Sequence, residues 1–134
     1  GDNAARCLDI HKAIPELGGI FDPANFVQCK QDTLEVWELL KDYVNYLHIK
    51  DANELGKVVP AGEGIGNVGE ILKKYYAMGG RDLTLEPHLK VFDGLKDLEK
   101  DFDESVIGGR IVYPTARAAF DAAVTALNGL IDNV

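Results

Sequence analysis

Three short apolar runs, at 17–21, 44–49 and 83–85, are separated by stretches whose apolar residues recur at helical spacing. That alternation constrains the fold more than any other feature of the chain. Strands that take turns with helices of this length imply a parallel sheet packed by helices, an α/β architecture. Residues 2–14 carry Ala5, Cys7, Leu8 and Ile14 on a helical pattern that Pro15 ends. Asp32 opens a stronger helix, with Glu35 three residues on in a capping-box arrangement and Leu34, Trp37, Leu40 and Val44 along one face. Asn67 with Glu70 predicts another capped start, followed by a stripe of Val68, Ile71, Leu72 and Tyr75 and a stop at Gly79–Gly80. The last helix is expected over about 114–132, with Pro114 in its first turn and Phe120, Ala123, Val124, Leu127, Leu130 and Ile131 on its apolar side. GGIF and YLHI show little polar–apolar alternation, which predicts strands buried on both faces.

A chain of 134 residues is one ordinary domain, 1–134, and no linker or low-complexity segment divides it. Hydrophobic residues at 46% and charged residues at 27% are those of a soluble globular protein. No apolar run has the length a membrane span needs, so a membrane is not an expected partner. The net charge of −8, with no cluster of lysine or arginine, opposes attraction to phosphate backbones and disfavours nucleic acid. Cys7 and Cys29 do not have the spacing of a metal pair. With no signal-like start in GDNAARC, free thiols and a cytoplasmic location are the expectation. One connection is anomalous: the stretch from Glu86 to the last helix is long for a compact α/β unit, the usual mark of a lid or partner contact.

The three apolar runs end alike. Asp22 follows the first, His48 sits near the close of the second, and Glu86 follows the third. Binding groups in α/β proteins gather at the carboxyl ends of parallel strands. Neighbouring strands lie about 4.8 Å apart, so the three side chains are within reach of one ion. Two carboxylates and an imidazole suit Mn²⁺, Mg²⁺, Co²⁺ or Zn²⁺. Each residue alone has an ordinary reading: a hydrogen-bonded histidine, an aspartate turning the chain before proline, a solvated glutamate. Three at equivalent places in three repeats make a shared site the sharper expectation.

Around them, strand alternation puts Lys50 on the side of His48, where it is placed to hold a substrate oxygen or, equally, to close a salt bridge. Asp51, a further candidate for substrate binding, continues the same HIKD stretch, and His88 stands two residues beyond Glu86 at the border of the expected pocket or on a surface loop. His11 lies in the first helix, apart from the site. Gly64, Gly66 and Gly69 spell a G-x-G-x-x-G, but a dinucleotide fingerprint follows its strand directly, and here Pro60 and a long stretch intervene. Glycines ahead of a helix still allow backbone N–H groups to approach an anionic substrate, with Glu63 at the rim or in solvent.

FDPANF, YLHIKDA, VPAGEGIGN, LEPHL and YPTARAAFDAAVTALNGLI together resemble the carboxyl-terminal half of the xylose-isomerase-like sugar isomerase/epimerase family, which includes relatives of endonuclease IV. The resemblance runs over essentially the whole chain in order and spacing. It implies a partial (β/α)₈ TIM barrel, about the last three or four β/α units, with parallel strands and outer helices. It also implies a metal-dependent isomerase or epimerase acting on a sugar or sugar phosphate through a metal-stabilised cis-enediolate. The family's one divalent ion is held by a glutamate, an aspartate, a histidine and a second glutamate. Asp22, His48 and Glu86 match the last three, and Glu86 would be one of the two acid/base groups. The first glutamate would fall before residue 1. Where many relatives have a histidine three residues after the aspartate, this chain has Asn25, an amide suited to a substrate hydroxyl. Glu54 replaces an arginine that some epimerases place after the strand histidine.

Three strands cannot close an eight-stranded barrel, and open edges invite pairing. A missing amino-terminal barrel half, from a longer chain or a separate polypeptide, or a second copy of this chain is therefore the expected partner. The longer chain is favoured because GDNAARC resembles the middle of such proteins. An inosose-dehydratase-like lyase and a non-catalytic metal-binding module are the competing functions. A nuclease, which needs further histidine ligands and a basic groove, is disfavoured.

Overall fold

The computed structural model describes residues 3–90 and 113–134. The expectation attached to the long connection falls on 91–112 and lies outside the described residues. The element order is α1 (Ala4–Ala13), β1 (Gly19–Phe21), α2 (Pro23–Gln28), α3 (Thr33–Leu40), β2 (Val44–Ile49), β3 (Asp51–Ala52), β4 (Val58–Val59), α4 (Val68–Ala77), β5 (Leu83–Leu85) and α5 (Ala116–Ile131). Strands β1, β2 and β5 form a parallel sheet with β2 in the middle. The architecture is mixed α/β, and among the described residues the sheet is open rather than a closed barrel.

The helices start where side chains satisfy orphan N–H groups. Asn3 accepts from the Arg6 amide, Asp32 from those of Leu34 and Glu35, and Thr115 from that of Ala118. Asn67 departs from the expected cap. It takes a left-handed backbone (φ 54°), and its side-chain amide donates to Thr33 Oγ1 at 2.9 Å, tying the start of α4 to the start of α3. Pro114 precedes the Thr115 cap instead of entering α5, and Val44 leaves the helix to begin β2.

Gly79 and Gly80 close α4 as the sequence implies. The Gly79 amide donates to Tyr76 and the Gly80 amide to Tyr75, with Gly79 at φ 91°. A Cβ at Gly79 would meet nothing within 4 Å, so Gly79→Ala isolates backbone strain. It is expected to lower unfolding free energy by about 1 kcal/mol in urea titration.

The core forms between the helices and one face of the sheet. Phe21, Leu47 and Ile49 pack with Val36, Trp37 and Leu40 of α3 and Ile71, Leu72 and Tyr75 of α4. Trp37 meets Phe21 and Tyr75 edge-on. Of the stripe expected on α5, Ala123 is buried and Leu127 and Leu130 join the core, whereas Phe120 and Ile131 face solvent and Ala119 takes an inward place.

The expectation of strands buried on both faces is corrected. Leu47 and Ile49 are buried, whereas Tyr46 and His48, which alternate with them, are only half-buried, and their partners Ile20 and Thr84 are exposed. Among the described residues one face carries helices and the other carries Ile20, Asp22, Tyr46, His48, Lys50, Thr84 and Glu86. Beyond β2 the chain forms an antiparallel ribbon, β3 with β4. Asn53 shapes its turn by accepting from the amides of Leu55 and Lys57. No helix among the described residues is long and apolar enough to cross a membrane.

Candidate metal centre

Register brings the strand ends together. Phe21 pairs with Leu47 and Ile49 with Leu85, so the next residues on the outer strands, Asp22 and Glu86, flank His48 and Lys50 on the middle one. The Glu86 amide still donates to the Ile49 carbonyl at 3.2 Å, holding Glu86 in line with the sheet. The period-two alternation of a strand then turns all four side chains to the same face.

Asp22 does two jobs. Its Oδ1 caps α2 by accepting from the Asn25 amide at 3.2 Å, and Pro23 fills the first helical position. Its Oδ2 is buried and accepts no hydrogen bond among the described residues. The Lys50 ammonium lies 2.9 Å from that oxygen, an ion-pair distance. His48 Nδ1 faces Glu86 Oε2 at 3.2 Å and Asp22 Oδ2 at 3.7 Å. One ligand atom from each of Asp22, His48 and Glu86 falls within 4.8 Å of the others.

These residues fit a divalent ion. Ligands about 2.1 Å from a metal stand roughly 3.0–3.4 Å from their neighbours, or about 4.2 Å across the ion; the 3.2 and 3.7 Å distances from His48 Nδ1 fall within those limits, and the 4.8 Å outer spacing of the group is wider. Asp22 Oδ2, buried, ion-paired with Lys50 and accepting no hydrogen bond among the described residues, is the atom such an ion would engage. As a ligand, His48 would present the Nδ1 lone pair, its proton held on Nε2.

The remaining expected residues divide. Lys50 is almost fully buried, donates to Asn25 Oδ1 at 3.1 Å and stands 3.6 Å from Glu86 Oε2. Asn25 therefore belongs to the cluster through Lys50. His88 is exposed, has a left-handed backbone (φ 43°) and reaches Glu86 Oε2 at 4.0 Å, at the border of the group. Glu63 is exposed on the loop after β4. Its charge adds to the burial that pushes the Tyr113 phenol above its ordinary range. His11 is apart, stacked on Tyr43 and bonded to the Leu17 carbonyl.

Asp51 corrects the reading that gave it to the substrate. It is fully buried, and its carboxylate is filled by the chain itself. Oδ1 accepts from the amides of Ala52 (2.8 Å) and Gly66 (2.9 Å), and Oδ2 from those of Gly62 (2.9 Å) and Gly64 (3.1 Å). A Cβ on Gly64 or Gly66 would overlap that carboxylate. Gly62, Gly64 and Gly66 thus form an internal anion cradle whose anion is an aspartate side chain, built on the same backbone N–H chemistry that elsewhere receives phosphate.

No family model, curated protein or solved structure matches the chain. The geometry and the sequence motifs together carry the functional reading.

Proposed function

We propose that the chain carries the metal-binding mouth of a sugar isomerase or epimerase of the xylose-isomerase-like kind, and that its open sheet is part of a (β/α)₈ barrel. The observation that supports this best is the convergence of Asp22, His48 and Glu86 from three successive strand ends around a buried oxygen that accepts no hydrogen bond among the described residues.

A divalent cation there would polarise the carbonyl and adjacent hydroxyl of a ketose and so acidify the intervening C–H. The chain's own groups have separate tasks. Glu86 is the most exposed of the three ligands, its side chain 36% accessible, and is the group placed to take and return that proton. His48 and Asp22 hold position. Asn25 supplies an amide for a substrate hydroxyl, and His88 stands at the rim on Glu86's outer side. With the second acid/base carboxylate expected from outside the chain, the chain alone is expected to turn over ketoses weakly or not at all.

The first test is binding, because it needs no substrate. Titration calorimetry with Mn²⁺ is expected to show one site per chain. His48→Ala and Glu86→Gln should each weaken it by about tenfold to a hundredfold while leaving the circular dichroism of the fold unchanged. A wild-type chain that takes up no divalent ion would end the reading. Catalysis is then tested by adding the complementing barrel half and following exchange of the ketose α-proton with deuterium.

A further inference from the structure

We propose that Lys50 is the resident counter-ion of the Asp22–Glu86 pair, and that a divalent cation enters by taking those two carboxylates from it. The inference rests on the metal-site reading and adds a control on it.

His48 Nδ1 and Lys50 Nζ approach the same two atoms, Asp22 Oδ2 and Glu86 Oε2. The oxygens that would bind the ion are therefore the ones already neutralised by an ammonium. Lys50 is 8% exposed, so its charge has little access to water and depends on these partners. Among the described residues its ammonium donates one hydrogen bond, to Asn25 Oδ1, and its contact with Asp22 is an ion pair. Such an arrangement stabilises the metal-free chain without spending the carboxylate lone pairs on directed bonds. A dication at the shared oxygens and an ammonium beside them repel across a few ångströms of poorly screened space, so the two states compete. Asn25 gives the displaced ammonium a partner that carries no charge for the metal to attract.

Removing the ammonium separates this from a helper role, in which Lys50 would assist metal or substrate. Lys50→Met keeps an unbranched stem of similar reach and deletes the charge, and Lys50→Arg keeps the charge. Using Mn²⁺ alone, Lys50→Met is expected to bind at least tenfold more tightly than wild type and Lys50→Arg no more tightly than wild type. Without metal, Lys50→Met should melt at a lower temperature than wild type and gain more from saturating Mn²⁺. If methionine prevents folding, Lys50→Gln supplies the same comparison. Equal or weaker Mn²⁺ binding by a folded, uncharged variant, with wild type binding normally, overturns the Lys50 inference and leaves the metal site standing. Failure of wild type and variants alike to bind overturns both.

Discussion

Asp51→Ala is expected to destabilise the fold by about 4 kcal/mol, a large share of the 5–15 kcal/mol that holds a domain of this size together. The carboxylate receives the amides of Ala52, Gly62, Gly64 and Gly66, and the residue is fully buried. Each amide left without an acceptor in a buried setting costs roughly 1–3 kcal/mol, with part recovered where water enters the vacated space. The loop also loses a group that constrains its glycines, since Gly64 and Gly66 are close against that side chain. Asp51→Asn should recover about half the loss, because one amide oxygen still accepts while the –NH₂ faces N–H donors. Urea unfolding of the two variants checks both values. A cost below about 1 kcal/mol for alanine would mean the cradle contributes little, and the loop would need another anchor.

The second large effect is expected at Asp22. Asp22→Asn keeps an oxygen to cap α2 but removes the negative charge beside a nearly buried ammonium. Stripping one partner from a buried pair costs several kcal/mol. With Glu86 Oε2 still 3.6 Å from Lys50, a loss of about 2 kcal/mol is the expected value. Mn²⁺ affinity should fall by about a hundredfold or more, since Asp22 is the most buried of the three donor side chains. Adding Lys50→Met to Asp22→Asn removes both charges and should return part of the stability but none of the binding. Asp22→Asn thus lowers both quantities, whereas Lys50→Met lowers one and raises the other. That crossing of signs distinguishes a ligand from its competitor, and a double-mutant cycle measures it.

Much of this site was legible because strands speak through their ends. Asp22, His48 and Glu86 could be picked out from three apolar runs and the rule that parallel sheets bind at their carboxyl edge. The same alternation that placed Lys50 with His48 also made the uncovered face predictable. It was missed because YLHI reads as apolar until tyrosine and histidine are counted as half-polar. The short helix α2 had a signal too: Asp-Pro is a cap followed by the residue best suited to a first turn, not only a bend. The role of Asp51 left no such trace. It depends on amides eleven to fifteen residues away folding back onto one carboxylate, and no local periodicity reports contacts of that kind. Asn67 was misjudged for a related reason, since its side chain bonds across to Thr33 rather than to its own helix.

The middle strand carries His48, and Lys50 follows just past its end, two residues on and on the same face. Imidazole and ammonium therefore sit at a separation dictated by the covalent chain, whereas Asp22 and Glu86 ride on separate outer strands and meet them like the jaws of a vice. A wider or narrower grip, suited to a larger or smaller ion, is reached by sliding or tilting a jaw, while the central bar stays as it is. On the proposed metal reading, redesign of ion preference belongs in the turns that set the outer strands, and leaves HIK alone.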